Sequence, residues 1–242
     1  MKKRTRIILS VCLAVLLVFG IGGYAYVIDY YHADETALEA MAHLTDSVQA
    51  ELDGNVTWFV PENPVVGLIF YPGGKVENTA YAPLMRACAE NGILCALVRM
   101  PGNLAVLDAN AADGLQQEHP EVTTWYIAGH SLGGAMAAGY AAAHEKDFDG
   151  LILLAAYSAK DLSQTTLRVL SVYGSEDGVL DRESYEKNRA NLPADTTEVV
   201  LDGGCHSQFG SYGPQDGDGV PTISGEEQIR QTVEAIAAFV SQ

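Results

Sequence analysis

Thr123-Thr124-Trp125-Tyr126-Ile127-Ala128-Gly129-His130-Ser131-Leu132-Gly133-Gly134-Ala135-Met136-Ala137-Ala138-Gly139-Tyr140-Ala141-Ala142-Ala143 reads as three pieces in immediate succession. A β-branched and aromatic run comes first, then a serine between glycines, then a run of small helix-forming residues. That is a strand, a sharp turn and a helix able to pack close to a sheet. Gly129, Ser131 and Gly133 form G-x-S-x-G in the context that presents a serine hydroxyl on a strained strand-to-helix turn. Glycines two places before and after Ser131 remove side chains that would clash at so tight an approach. The backbone N–H of Leu132 opens the helix, where unpaired amides and the helix dipole favour negative charge.

Outward from this turn, short apolar runs alternate with helical patterns. Strands are expected at Val56–Val60, Val65–Tyr71, Ile93–Arg99, Leu151–Ala155, Thr166–Tyr173 and Glu198–Leu201. Helices are expected at Asp34–Leu52, Tyr81–Asn91, Leu104–Glu118, Leu132–His144, Arg182–Asn191 and Glu226–Val240. Such alternation predicts an α/β fold with a mostly parallel sheet and helices on both faces. Strands without a polar face agree, because both faces are then covered. Ligands of these sheets sit beyond the carboxyl ends of the strands. The loops after Tyr71, Ala128, Tyr173 and Leu201 should therefore converge.

A serine nucleophile needs a base, and the chain has six histidines. His32 and His43 lie near the N-terminal segment, and His119 and His144 fall at helix ends. His130 sits inside the turn beside Ser131. His206, in Gly203-Gly204-Cys205-His206-Ser207 after the last strand, is placed to take the Ser131 proton and return it to a leaving group. An orienting carboxylate is sought between the two in chain order. Asp177, in Tyr173-Gly174-Ser175-Glu176-Asp177-Gly178, is preferred over its neighbour Glu176, and Asp181 reads as part of a helix N-cap. A second oxyanion donor should come from Pro72-Gly73-Gly74-Lys75-Val76. Gly74 is the first choice and Lys75 the second.

FYPGGKVE, GHSLGG, YGSEDGV and GGCHSQFG, in that order, resemble the α/β-hydrolase superfamily over roughly Val56 to Gln242. More narrowly they resemble the small single-domain bacterial hydrolases near dienelactone hydrolase. The resemblance implies Ser131, Asp177 and His206 as a triad, with Leu132 and Gly74 as oxyanion donors and no cofactor or metal. One departure matters: dienelactone hydrolases proper use a cysteine nucleophile, and here serine stands in its place. Many relatives insert a lid between the strands at Leu151 and Thr166. Here Ala156–Thr165 is too short for a helical cap, so no large lid is expected. The later loop Ser207–Thr222 is glycine-rich. Its Asp216-Gly217-Asp218-Gly219 lacks the remaining ligands of a calcium loop and reads as an ordinary turn.

At the N-terminus Lys2, Lys3, Arg4 and Arg6 precede Ile7–Ile28, 22 residues without a charge. A helix of that length rises roughly 33 Å, enough to cross a bilayer core. The basic cluster predicts an inside N-terminus, and Tyr24, Tyr26, Tyr30 and Tyr31 fit the far interface. The expected organisation is a cytoplasmic tip and single-pass anchor over 1–30, a juxtamembrane helix over 31–55, and an extracellular hydrolase domain over 56–242. The competing expectation is a cleaved signal peptide, although no clean A-x-A site follows. A net charge of −17 from 14 basic and 31 acidic residues excludes a basic nucleic-acid-binding stripe. Cys12, Cys88, Cys95 and Cys205 have no zinc-like spacing, and any disulfide would join Cys88 to Cys95. The function expected is hydrolysis of an ester or related acyl bond in a small-molecule or acyl substrate. The rival classes are acyl transfer to an envelope acceptor, with the same triad, and a non-catalytic binding module on the same fold.

Overall fold

A computed structural model describes the backbone of residues 3–42 and 47–242, with side chains for 12–18, 20–42 and 47–242. The chain divides into two units, residues 1–30 and 31–242. The first holds one helix, α1 (Lys3–Ile28). Among the described residues no helix is long and apolar enough to cross a membrane. The side chains of residues 1–11, with the basic cluster and the start of the apolar run, lie outside that description.

The second unit contains α2 (Glu35–Ala42), β1 (Val48–Asp53), β2 (Val56–Pro61), β3 (Val66–Tyr71), α3 (Ala82–Glu90), β4 (Ile93–Val98), α4 (Leu115–Glu118), β5 (Thr124–His130), α5 (Leu132–Ala143), β6 (Gly150–Leu154), β7 (Arg168–Gly174), α6 (Arg182–Asn188), β8 (Thr197–Leu201) and α7 (Gly225–Val240). The eight strands form one sheet in the order β1-β2-β4-β3-β5-β6-β7-β8. The β1–β2 and β2–β4 pairs are antiparallel, and the remaining five are parallel.

Successive side chains of a strand point to opposite faces, and both faces of the central strands are covered. Leu68 and Phe70 of β3, Cys95 and Leu97 of β4, and Ile152 and Leu154 of β6 join one apolar cluster with α3 and α7. Ile69 and Tyr71, Leu94 and Ala96, and Leu151 and Leu153 join the other, with Ala137, Ala138 and Ala141 of α5. Each buried Leu, Ile or Phe contributes roughly 1.5–3 kcal/mol, against about 0.8 kcal/mol for a single methylene. On the α5 face the core is therefore held mainly by the strands, while α3 and α7 add Leu84, Met85, Ile236 and Phe239 on the other. The alanines of α5 serve to bring that helix close to the sheet. The link from β6 to β7 runs from Ala155 to Leu167 without a helix, so no large lid covers this end.

Two expected helices are corrected. Asp34–Leu52 is helical from Glu35 to Ala42, residues 43–46 lie outside the described residues, and Val48–Asp53 pairs with β2 as an edge strand. The sequence alternates with a period of two, and burial follows it at Val48 and Ala50, whereas Leu52 stands exposed at the edge together with Gln49, Glu51 and Asp53. The sheet thus begins ahead of Val56, within the stretch expected to be a juxtamembrane helix. Leu104–Glu118 breaks into a 3₁₀ turn at Ala105–Leu107, irregular turns and the single turn of α4. The Tyr71 hydroxyl takes the Ala112 N–H and donates to the Ala109 carbonyl, groups a helix would pair internally. Gly114, at φ +83°, ends the irregular stretch.

Just ahead of α2, Tyr31 makes a parallel bridge with Val76. Its N–H donates to the Lys75 carbonyl at 2.7 Å, and its carbonyl accepts from Glu77 N–H at 2.9 Å. The Tyr31 hydroxyl accepts from Asp216 N–H, and Asp34 N–H donates to the Ser211 carbonyl. All four cysteines are free thiols. Burial, and then Cys88 beside it, pushes the Cys95 thiol well above its ordinary value.

Candidate active site

Ser131 stands between β5 and α5 at φ 53°, ψ −122°. That positive-φ conformation is costly for a residue with a side chain and is the strained strand-to-helix turn expected from the sequence. It is fixed on both sides. Ser131 N–H donates to the Leu154 carbonyl of β6 at 2.9 Å. Gly133 lies so close to the end of β3 that a Cβ there would run into the carbonyls of Tyr71 and Pro72. Leu132 is the first residue of α5, so its N–H has no carbonyl one turn earlier to bond.

The loops after β7 and β8 bring Asp177 and His206 together. Asp177 Oδ2 lies 2.9 Å from His206 Nδ1, and both side chains are almost wholly out of solvent. Asp177 Oδ1 accepts from Val179 N–H at 2.9 Å and Leu180 N–H at 2.8 Å. The carboxylate is thus held by its own turn and aimed at the ring. His206 Nδ1 faces Asp177, which leaves Nε2 as the ring nitrogen directed away from the carboxylate. Nε2 is buried and has no hydrogen-bond partner, so the contact with Ser131 Oγ is not made in this structure. Glu176 turns away and accepts from the Ser175 hydroxyl. Asp181 caps α6 through Ser184 N–H.

The loop after β3 carries three backbone amides of interest. Gly73 N–H donates to the Tyr81 hydroxyl at 3.0 Å, and Lys75 N–H donates to the Asn103 carbonyl at 2.8 Å. Gly74 remains, against the Ser131 turn: a Cβ on it would lie 2.9 Å from Leu132 Cδ2. The Tyr81 hydroxyl also lies 2.7 Å from His130 Nδ1. Accepting from Gly73 leaves the Tyr81 hydroxyl proton available to His130 Nδ1. The His130 and His206 rings pack with centroids 4.5 Å apart. One hydroxyl and one imidazole thereby tie the Gly73–Gly74 loop, the Ser131 turn and the His206 loop together.

Burial, and secondarily His206, holds His130 well below the ordinary imidazole value. The unfolded chain takes up a proton below pH ~6.5 that native His130 refuses. Stability must therefore fall as pH drops through that value, by at most about 1.4 kcal/mol per pH unit from this group. Urea midpoints should fall less between pH 7 and 5 in His130→Gln than in the wild type. An unchanged slope would mean that His130 protonates freely in the native state.

The His206 loop is held by side chains from outside it. Gln228 of α7, wholly buried, accepts from Cys205 N–H at 2.9 Å and donates to the Cys205 carbonyl at 2.7 Å. The Ser175 hydroxyl accepts from Gly203 N–H at 2.8 Å. Asp218 accepts from His206 and Ser207 N–H.

The sequence model of the alpha/beta hydrolase family matches residues 67–230, more than half of the chain. The chain belongs to that family. Solved structures agree on the fold of this alpha/beta hydrolase. A predicted CIB-like hydrolase from Thermoplasma acidophilum aligns at TM-score 0.58 and 16% identity, over 79% of this chain and 99% of that one. Dienelactone hydrolase from Anabaena variabilis aligns at 0.60 and 13%, over 81% and 98%. Est1E from Butyrivibrio proteoclasticus aligns at 0.57 and 15%, over 81% and 100%. No curated protein matches the chain. Tyr81 and Gln228 of this alpha/beta hydrolase escaped the sequence reading, and Asp218 was read as part of an ordinary turn without its contacts. Gln228 left a trace, since it shares the buried stripe of α7 with Thr232, Ile236 and Phe239. Tyr81 and Asp218 left none beyond their residue type.

Proposed function

We propose that this alpha/beta hydrolase is a serine ester hydrolase working through an acyl-enzyme on Ser131. The observation that carries the reading is the buried Asp177–His206 pair, whose ring packs against His130, the residue next to a serine at φ 53°. As Ser131 Oγ bonds to the ester carbonyl carbon, its proton passes to His206 Nε2. The imidazolium, held by Asp177, gives that proton to the departing alkoxide as the C–O bond breaks. Water then attacks the acyl-enzyme by the same route and releases the acid. The N–H groups of Leu132 and Gly74 are the donors for the carbonyl oxygen as it becomes an oxyanion, and one such donor is worth about 10²–10³ in kcat. The likeness to a dienelactone hydrolase, and to Est1E solved with ferulic acid bound, is in keeping with an ester substrate and a carboxylic acid product.

The test is labelling by a fluorophosphonate probe, followed by turnover of a panel of acyl esters and amides. Labelling at Ser131 with ester turnover is the expected result. A folded protein that neither labels nor turns over any ester overturns it.

We further propose that the domain lies outside the cell and that the N-terminal segment is its membrane anchor. Four cations ahead of 22 uncharged residues support it. Protease added to intact cells should digest the domain, and protection until lysis would reverse the orientation.

A further inference from the structure

Asp218 lies in Asp216-Gly217-Asp218-Gly219, whose backbone is the expected turn: Asp218 N–H donates to the Gln215 carbonyl. Its carboxylate does something a surface turn has no need of. Oδ1 accepts from Gly178 N–H at 3.2 Å, His206 N–H at 3.1 Å and Gly219 N–H at 2.8 Å. Oδ2 accepts from Ser207 N–H at 2.8 Å. Gly178 directly follows Asp177. One carboxylate thus spans the two loops that must present the acid and the histidine to each other.

The loops are in backbone contact at this point. A Cβ on Gly178 would lie 2.6 Å from the Gly217 carbonyl oxygen and 2.8 Å from Gly219 N, and a Cβ on Gly219 would collide with the Glu176 carbonyl. Burial alone would raise the Asp218 carboxyl, but the amides of Ser207, Gly178 and His206 bring it below the ordinary carboxylate range. It is therefore charged at neutral pH, and charge-assisted bonds are the stronger kind. Apart from the Asp177–His206 pair itself, the other bonds found between the two loops among the described residues, Glu176 N–H to the Gly204 carbonyl and Gly203 N–H to the Ser175 hydroxyl, lie before Asp177 and before His206 in the chain. Among the described residues, only the Asp218 carboxylate bonds both to the backbone of the residue following Asp177 and to the backbone of His206.

We propose that Asp218 is a positioning residue that fixes the register of the Asp177 loop against the His206 loop and so keeps Asp177 Oδ2 on His206 Nδ1. The inference rests on the Ser131–His206–Asp177 reading above. It acts through that pair alone, which gives it a signature. An amide at position 218 keeps one acceptor oxygen and turns an NH₂ toward groups that are themselves donors. A shift of about 1 Å in a catalytic pair can lower turnover roughly 10²-fold.

The test is a double-mutant cycle on the full chain with p-nitrophenyl acetate. Asp218→Asn should lower kcat by roughly 10²-fold with KM within about threefold, and it should add little to the loss already present in Asp177→Asn. Asp218→Glu, which keeps the charge, should recover part of the loss. Independently of turnover, proton NMR should find the low-field His206 Nδ1–H signal in the wild type and a displaced or missing signal in Asp218→Asn. Near-normal kcat in Asp218→Asn overturns the proposal. So does a loss that multiplies with Asp177→Asn, or a His206 proton that Asp218→Asn leaves unmoved. If Asp218→Asn does not fold, Asp218→Ser enters the same cycle and the same spectrum. If the wild type turns over no ester, the serine hydrolase reading fails, and the His206 proton still decides the role of Asp218.

Discussion

Ser131→Ala and His206→Ala should each abolish fluorophosphonate labelling and reduce ester turnover by about 10⁶-fold, the loss seen when a serine triad loses its nucleophile or its base. The cause is that the two act in one proton transfer. Without Ser131 there is no acyl-enzyme, and without His206 the serine hydroxyl keeps its proton and remains a poor nucleophile. The double variant should therefore be little worse than the poorer single variant, because a unit already broken cannot be broken again. Circular dichroism should be unchanged for Ser131→Ala, whose backbone is held by the Leu154 carbonyl whatever the side chain. Losses that multiplied would mean that serine and histidine do not share a step. Full labelling of His206→Ala would remove His206 from the mechanism.

Asp177→Asn should lower kcat by about 10⁴-fold, while Glu176→Gln should change it by less than about threefold. The tenthousandfold figure is that of a serine protease whose triad aspartate becomes an amide. Asp177 receives the His206 Nδ1–H and stabilises the imidazolium formed in the transition state. An amide at the same place offers its NH₂ to Nδ1, so the proton moves to Nε2 and the base is lost. Glu176 is exposed and bonded to Ser175, with no contact to the ring. Both variants are checked for folding before rates are compared. A folded Asp177→Asn with near-normal turnover, paired with collapse in Glu176→Gln, would transfer the acid role to Glu176 and falsify the pairing as read.

The strand-turn-helix around Ser131 was legible because every part of its signal is local: β-branched residues, glycines at fixed offsets, then alanines. The central strands were legible for a similar reason, since burial on both faces leaves them apolar throughout. Asp177 and His206 could be chosen because each follows a strand that ends at the same edge. Two helices were misread through apolar spacing alone. In Val48–Asp53 the alternation of period two competes with helical spacing over too few residues to separate, and pairing with β2 decides. In Leu104–Glu118 the deciding partner is the Tyr71 hydroxyl, far away in sequence. The supporting contacts were illegible for that same reason. Asp218 reaches across 40 residues to Gly178, and Tyr81 reaches across 49 to His130. Nothing within a turn's length of either residue points to its partner.

The bridge between Tyr31 and Val76 sets where the domain can be cut free. Hydrolysis ahead of Asp29 releases a piece that keeps Tyr31 clasped between Lys75 and Glu77, next door to Gly74. Hydrolysis between Tyr31 and Asp34 strips that clasp away and takes from the Lys75 carbonyl and the Glu77 N–H the partner that Tyr31 gave them, although every residue of the triad is still present. For a processing protease in the cell, or for anyone preparing a shortened form, the boundary that matters falls before Tyr31, well upstream of the first strand.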